Sequence, residues 1–331
     1  MSRSFATALW VLVATSSAFA QDRGPLERCA RIQDDTARLR CYDEAARASS
    51  NQAAPERASS TQAEPETPPA PAGLWAERIA QDFRRETFTL TARQPNYILH
   101  TYLSSPNQAP YEFTGQADRL QRSEIKFQLS LQSKVAAKVF GTNSDLWIGH
   151  TQVSYWQLYN SDVSAPFRET NYAPEVYVAT PTDFSLFGMT GRAITWGIVH
   201  QSNGRGELLS RSWNRVFAEV FLERGDLAIM FKPWARIKEK AEDDDNPDIT
   251  DYLGHYEFRT LYHRRGHIFS LMLRNVFDKE RRFNSELQWS FPIQRRLRGL
   301  VHWYNGYGEN LIDYNHNNHR IGIGVLMTDW I

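Results

Sequence analysis

From about residue 96 to the C-terminus, apolar and polar side chains alternate in stretches of eight to fifteen residues separated by polar turns that contain Gly or Pro. A period of two places alternate side chains on opposite faces of a strand. The alternation is clearest in RFNSELQWSF, where Phe283, Ser285, Leu287, Trp289 and Phe291 share one face and Asn284, Glu286, Gln288 and Ser290 the other. The same reading predicts strands near 96–104, 124–139, 146–159, 172–181, 190–202, 212–223, 226–236, 252–262, 266–276, 282–291, 298–306 and 320–330. Twelve strands, an even number, with one apolar and one polar face suit an all-β, antiparallel transmembrane barrel with lipid outside and a wet lumen. A large soluble β-sandwich carries the same local pattern.

The residues before the strands read differently. Arg3, the apolar run Phe5 to Ala14 and the small residues Ala18 to Ala20 form a secretory signal over 1–20, removed on export. Past it no apolar run approaches the ~20 residues that a spanning helix needs, so any membrane span must be a closed barrel. Residues 21–48 hold both cysteines, Cys29 and Cys41. On one helix these lie roughly 18 Å apart, so a disulfide requires a helical hairpin turning near Asp34 and Asp35. Export favours the bond, and two free thiols on a single amphipathic helix are the other reading. Residues 49–73, rich in Pro, Ala, Ser and Glu, read as a disordered linker. The extension would lie in the periplasm, and residues 74–331 would form the barrel domain.

Composition adds little beyond this. Lys and Arg number 38 and Asp and Glu 38, which removes any whole-chain electrostatic pull toward nucleic acid. Aromatic residues make up 13% of the chain at a mean hydropathy of −0.54, which fits many amphipathic strands better than one all-apolar core.

Candidate chemistry sits at the end of one of these strands. In RAITWGIVHQS the large apolar residues Ile194, Trp196 and Ile198 place the even face toward lipid, and His200 and Ser202 continue that face. On the next strand Val216, Ala218, Val220 and Leu222 do the same, and Asn214 belongs with them. A hairpin centred on residue 207 sets His200 opposite Asn214, with Cβ atoms roughly 4.5–5.5 Å apart. A serine hydroxyl needs a base to take its proton, and an imidazole is an efficient base when a third group holds its tautomer. Ser202 as nucleophile, His200 as general base and acid, and Asn214 as its orienting residue satisfy that logic. A neutral amide stabilises the imidazolium less than a carboxylate would, so a metal ion or backbone donors of the Gly204 to Gly206 turn must supply part of the stabilisation. Polar residues at a strand end also commonly just meet the membrane interface.

Six segments in order and at near-constant spacing extend this picture: APFRETNYAPE (165–175), HQSNGR (200–205), SRSWNR (210–215), KPW (232–234), DDNPDIT (244–250) and NGYGENLIDYN (305–315). Together, from about Tyr97 to the end, they resemble the outer membrane phospholipase A family of Gram-negative bacteria. Residues 21 to about 90 fall outside the resemblance.

The resemblance implies a twelve-stranded barrel whose outward-facing triad, Ser202, His200 and Asn214, hydrolyses phospholipid acyl esters with calcium. Carried over by position, calcium would be held by the Arg205 carbonyl, Ser210 and the partner subunit's Ser164. These are the oxygen donors a hard cation takes. A second calcium site would draw on Glu207, Leu209 and Asp245, but Leu209 has no donor atom in its side chain. Gln152 matches a buried glutamine of the dimer interface, where a lipid-facing amide must be paired. The chain ends in Asp329, Trp330 and Ile331 instead of the aromatic terminus common in such barrels. The expectation is therefore a calcium-dependent homodimeric phospholipase of the outer membrane, acting on phospholipids and lysophospholipids amid outer-membrane lipid. A non-enzymatic pore or adhesion barrel is the first alternative, and a soluble exported serine esterase on a β-sandwich the second.

Overall fold

The computed structural model describes residues 29–30, 32–51, 73–294 and 297–330. The signal segment 1–20 and most of the linker lie outside the described residues. The chain divides into two units, residues 1–68 and 69–331. In the first, helix α1 (Asp35–Asn51) is preceded by Asp34, whose carboxylate accepts from the Ala37 N–H at 2.8 Å and so satisfies one of the free donors of the first turn. The chain reverses ahead of it, the Ile32 N–H meeting the Cys29 carbonyl at 3.2 Å. Cys29 and Cys41 thereby form a disulfide with Cα atoms 5.5 Å apart.

The second unit holds helix α2 (Leu74–Arg84), a short strand β1 (Leu90–Ala92) and twelve longer strands. These are β2 (Asn96–Leu103), β3 (Ser123–Val139), β4 (Ser144–Trp156), β5 (Phe167–Leu186), β6 (Met189–Ser202), β7 (Ser212–Arg224), β8 (Leu227–Ile237), β9 (Tyr256–Arg264), β10 (His267–Arg274), β11 (Asn284–Gln294), β12 (Leu297–Gly306) and β13 (Asn318–Thr328). Each pairs antiparallel with its sequence neighbours, and β13 pairs with β2, Ile323 facing His100 and Val325 facing Ile98. That last pairing closes the sheet and leaves no edge, which excludes the sandwich.

The faces follow the alternation. Trp196, Ile198, Val216, Leu287, Ile321 and Ile323 are exposed on the outer wall, while Thr195, Glu219, Gln288 and Ser290 are buried inside. Two segments differ from the sequence expectation. Strand β5 runs 20 residues, well beyond 172–181, because its prolines are absorbed within the ladder: Pro174 faces His150, and a register shift follows Pro181. The expected strand start at 252 is instead helix α3 (Ile249–Leu253), whose ends Ile249 and Leu253 lie one turn apart and are both buried.

The interior is filled by ion pairs. Arg168 meets Glu124 and Asp313, Arg320 meets Glu124 and Glu309, and Lys126 also reaches Glu309 at 3.2 Å, every one of these side chains under 5% exposed. The lumen keeps a cavity of about 200 Å³, lined among others by Arg93, Glu175 and Arg215. Breaking a buried pair costs more than forming it gains, because the remaining charge has lost its acceptor. Glu124→Leu is accordingly expected to destabilise the barrel by about 3–5 kcal/mol. A urea midpoint unchanged in detergent would show that the network contributes nothing.

The two rims are unlike. Strands β5 and β6, β7 and β8, and β9 and β10 are joined by two-residue turns on one rim. Residues 104–122, 157–166, 203–211, 238–255 and 307–317 form long loops on the other. Helix α2 covers the short-turn rim: Trp75 packs on Phe221, Ala228, Leu261 and Ile268, and the Phe83 carbonyl accepts from Lys134 Nζ at 2.6 Å. The α2 N-terminus has no side-chain cap of its own, and Glu223 takes that part, Oε1 accepting from the Ala76 N–H at 3.3 Å.

Candidate active site

Strand β6 ends at Ser202, so its last outward-facing side chains are Ile198, His200 and Ser202. The β6–β7 hairpin has His200 opposite Asn214 and Ser202 opposite Ser212. His200 Nδ1 lies 2.8 Å from Asn214 Oδ1. The amide oxygen can only accept, so Nδ1 carries the proton and Nε2 presents a lone pair. Among the described residues the Ser202 hydroxyl forms no hydrogen bond. It stands two positions along the same face from the histidine, half-buried, with His200 exposed.

Strand β5 supports the other side. Tyr172 pairs with Ser202 and, across its other edge, with Gln152, so Gln152, Tyr172, Ser202 and Ser212 form one row on the outer wall. The β5–β6 ladder makes no pair at Ala173 and Pro174, which by the same register stand beside Gln201 and His200. Pro174 has no N–H to donate, so it adds no ladder hydrogen bond beside the histidine. Gln152 is half-buried on that wall, its Nε2 donating to Ser154 Oγ at 3.1 Å, and Ser154 also accepts from Thr170 Oγ1 at 3.1 Å. An amide facing lipid is thus paired within its own barrel through its nitrogen.

The loop 203–211 is knotted by Asn203, which is 4% exposed. Its Nδ2 donates to the Leu209 carbonyl at 2.8 Å, and its Oδ1 accepts from the N–H groups of Arg205 and Arg211 at 3.3 and 3.0 Å. Gly204 follows at φ +63°, where a Cβ would also come within 3.2 Å of the Tyr172 ring, so the tight turn after Ser202 requires glycine. Arg205 then reaches across to β5, donating to the carbonyls of Phe167 and Arg168.

Arg205 and Ser210 therefore share this loop, and Ser210 Oγ donates to Asp245 of the loop that follows β8. That acidic loop is docked instead of free: Asn246, fully buried, accepts from the Ser212 N–H through Oδ1 at 2.9 Å. Asp248 accepts from the Tyr314 hydroxyl. Burial first, and then the neighbouring Asp248 carboxylate, pushes the Tyr314 phenol well above its ordinary range, so that contact stays protonated at any working pH. Ser164 lies in loop 157–166 at φ +61° and is hydrogen-bonded to neither Arg205 nor Ser210. The Glu207 side chain is outside the described residues. No group of three or more His, Cys, Asp or Glu side chains is placed to hold a metal ion among the described residues. A cation here would rest on the Arg205 carbonyl and the Ser210 hydroxyl, and Asp245, expected of a second site, touches Ser210 and would add a carboxylate; such an all-oxygen set fits calcium and not a metal that needs imidazole or thiolate.

Sequence reasoning missed Glu239. Its Oε1 accepts from Asn214 Nδ2 at 2.6 Å, extending the chain of contacts beyond the asparagine. The only available signal was parity: Ile237 pairs with Asn214, and Glu239 is two residues further along the same side.

An apolar outer wall, a charged lumen and complete closure define an outer-membrane β-barrel, and polar side chains converging on its outer face set it apart from a simple pore. The family model described as phospholipase A1 matches residues 75–327. The chain is 39% identical over 243 residues to phospholipase A1 of Escherichia coli strain K12, covering 73% of this chain and 82% of that one. Two solved structures superpose at TM-score 0.73 and 36% identity, each covering 78% of this chain and all of the other. One is an active-site mutant of outer membrane phospholipase A from Escherichia coli in which an asparagine is replaced by alanine. The other is the Salmonella typhi outer membrane phospholipase dimer with bound calcium. The chain belongs to the phospholipase A1 family and is a phospholipase of the outer membrane.

Proposed function

We propose that the protein hydrolyses the acyl esters of phospholipids and lysophospholipids through Ser202, His200 and Asn214, with calcium and as a homodimer. The observation that carries this is the 2.8 Å contact of His200 Nδ1 with Asn214 Oδ1 on the face that Ser202 shares. His200 Nε2 takes the Ser202 proton as Oγ attacks the ester carbonyl carbon. The tetrahedral intermediate collapses, the C–O bond to the glycerol oxygen breaks, and His200 returns the proton to that leaving oxygen. A water activated by the same nitrogen then cleaves the acyl-serine, and the fatty acid departs. Calcium, when bound by Arg205, Ser210 and Asp245, supplies positive charge near the developing oxyanion. The calcium bound in the Salmonella typhi dimer supports the same need here.

The dimer follows from the site's position. On the outside of a barrel the triad has a single wall, and a second barrel supplies the other wall of an acyl-chain cleft. The row Gln152, Tyr172, Ser202 runs across that wall. Gln152 would pair there through the amide oxygen that Ser154 leaves free, and the partner subunit's Ser164 would complete the calcium site. The N-terminal extension lies in the periplasm on this reading, since α2 enters from the short-turn rim. A pore role is disfavoured by the ion-paired lumen.

The asparagine provides the test of the orienting role. Asn214→Ala is expected to lower kcat by about 10–10³-fold while leaving measurable turnover, because the oxyanion stabilisers remain. Asn214→Asp keeps an acceptor of the same shape toward His200 but sets its second oxygen against Glu239 Oε1, so it is expected to retain more activity than Asn214→Ala when combined with Glu239→Gln. A wild-type kcat for Asn214→Ala in detergent-refolded protein would remove Asn214 from the mechanism.

A further inference from the structure

We infer that Glu239 is a positioning residue of this reaction: it fixes which way the Asn214 amide faces and so which nitrogen of His200 is left to take the serine proton. The inference rests on the triad reading above. An amide oxygen and nitrogen have nearly the same shape, and an imidazole can accept a hydrogen bond as well as donate one. With Nδ2 turned to the ring, the amide would donate to a bare Nδ1. The proton would then sit on Nε2, which could not serve as the base. Glu239 removes that choice, because a carboxylate has only acceptors and holds Nδ2 at 2.6 Å. The sense passes from Glu239 to Asn214 Oδ1, from there to His200 Nδ1–H at 2.8 Å, and leaves Nε2 free.

Glu239 is itself held. Its side chain is 19% exposed, and its Oε2 lies 3.9 Å from the Arg236 guanidinium on β8. Arg236 in turn donates to Asp244 and to the carbonyls of Asn246 and Pro247, so the acidic loop fixes the arginine that fixes the glutamate. Lys238 and Lys240 flank Glu239 and are exposed. From β7 the facing group is the uncharged Asn214. A carboxylate one amide away from the ring also favours the imidazolium that forms during attack, which offsets part of what a neutral asparagine lacks.

The test uses the full chain refolded in detergent with calcium and a phospholipid substrate. It compares Glu239→Ala, Glu239→Gln, Ser202→Ala and the exposed Glu242→Ala as control, with Glu239→Ala repeated in Asn214→Ala. Glu239→Ala is expected to lower kcat about tenfold with KM within about twofold, and Glu239→Gln, which still offers an acceptor, to recover most of that loss. In the Asn214→Ala background Glu239→Ala adds less than about twofold, because the group it acts through is gone. Glu242→Ala behaves as wild type. Ser202→Ala inactive beside Glu239→Ala with wild-type kcat overturns the role of Glu239 alone, as does a full Glu239→Ala loss in the Asn214→Ala background. Ser202→Ala still active overturns the triad, and this inference with it.

Discussion

Replacing Ser202 by alanine is expected to reduce phospholipid hydrolysis by on the order of 10⁴–10⁶-fold, the loss that follows when a serine hydrolase is deprived of its nucleophile. The fold should not notice. Ser202 is half-buried at a strand end, its backbone remains in the ladder with Tyr172 and Ser212, and its hydroxyl forms no hydrogen bond among the described residues. Removing that oxygen therefore strands no partner. The measurement is ester release in detergent with calcium, run beside the heat-dependent gel shift that reports a folded barrel. A folded variant with activity within tenfold of wild type would end the serine mechanism.

Chelating calcium is expected to lower turnover by at least 10²–10³-fold, on the order of what losing an oxyanion stabiliser costs. The barrel remains folded, since its closure rests on the β13–β2 ladder and its interior on protein ion pairs. Loss of activity should track loss of the dimer, because the partner subunit's Ser164 would share the ion. Readmitting calcium restores both. Full turnover in excess chelator at unchanged barrel content would remove the metal from the mechanism. Replacing Ser210 by alanine should weaken the calcium response and leave the His200–Asn214 contact in place, because Ser210 Oγ bonds to Asp245 of the loop after β8 and to neither of those residues.

How far the chain could be read without its structure varies by element. The outer wall was legible because a period of two assigns every residue of a strand to a face: Trp196 and Ile198 announced the side on which His200 and Ser202 would stand. The hairpin turn centred on residue 207 then set His200 against Asn214, and the structure has that pairing. Strand β5 extends past its expected end because Pro181 is a break signal locally, although a strand can carry it where the register shifts. Helix α3 takes the first two residues of the strand expected at 252–262, because five residues are too few for a helical period to declare itself.

What the sequence by itself determined is the part governed by local rules: export, twelve alternating segments, the lipid-facing side of each, and a serine, histidine and asparagine that share it. These depend on periodicity and on turn lengths, which neighbouring residues specify. The tertiary structure alone decided what depends on closing the ring. Arg168 finds Glu124 and Asp313, 44 and 145 residues away, only because ring closure brings strands β3 and β5 and the last long loop to one interior. Asp245 reaches Ser210, and Glu239 reaches Asn214, because two loops fold down on one rim. A period of two says which way a side chain points but not which distant charge will be waiting there. That is settled by the shear and curvature of the closed sheet.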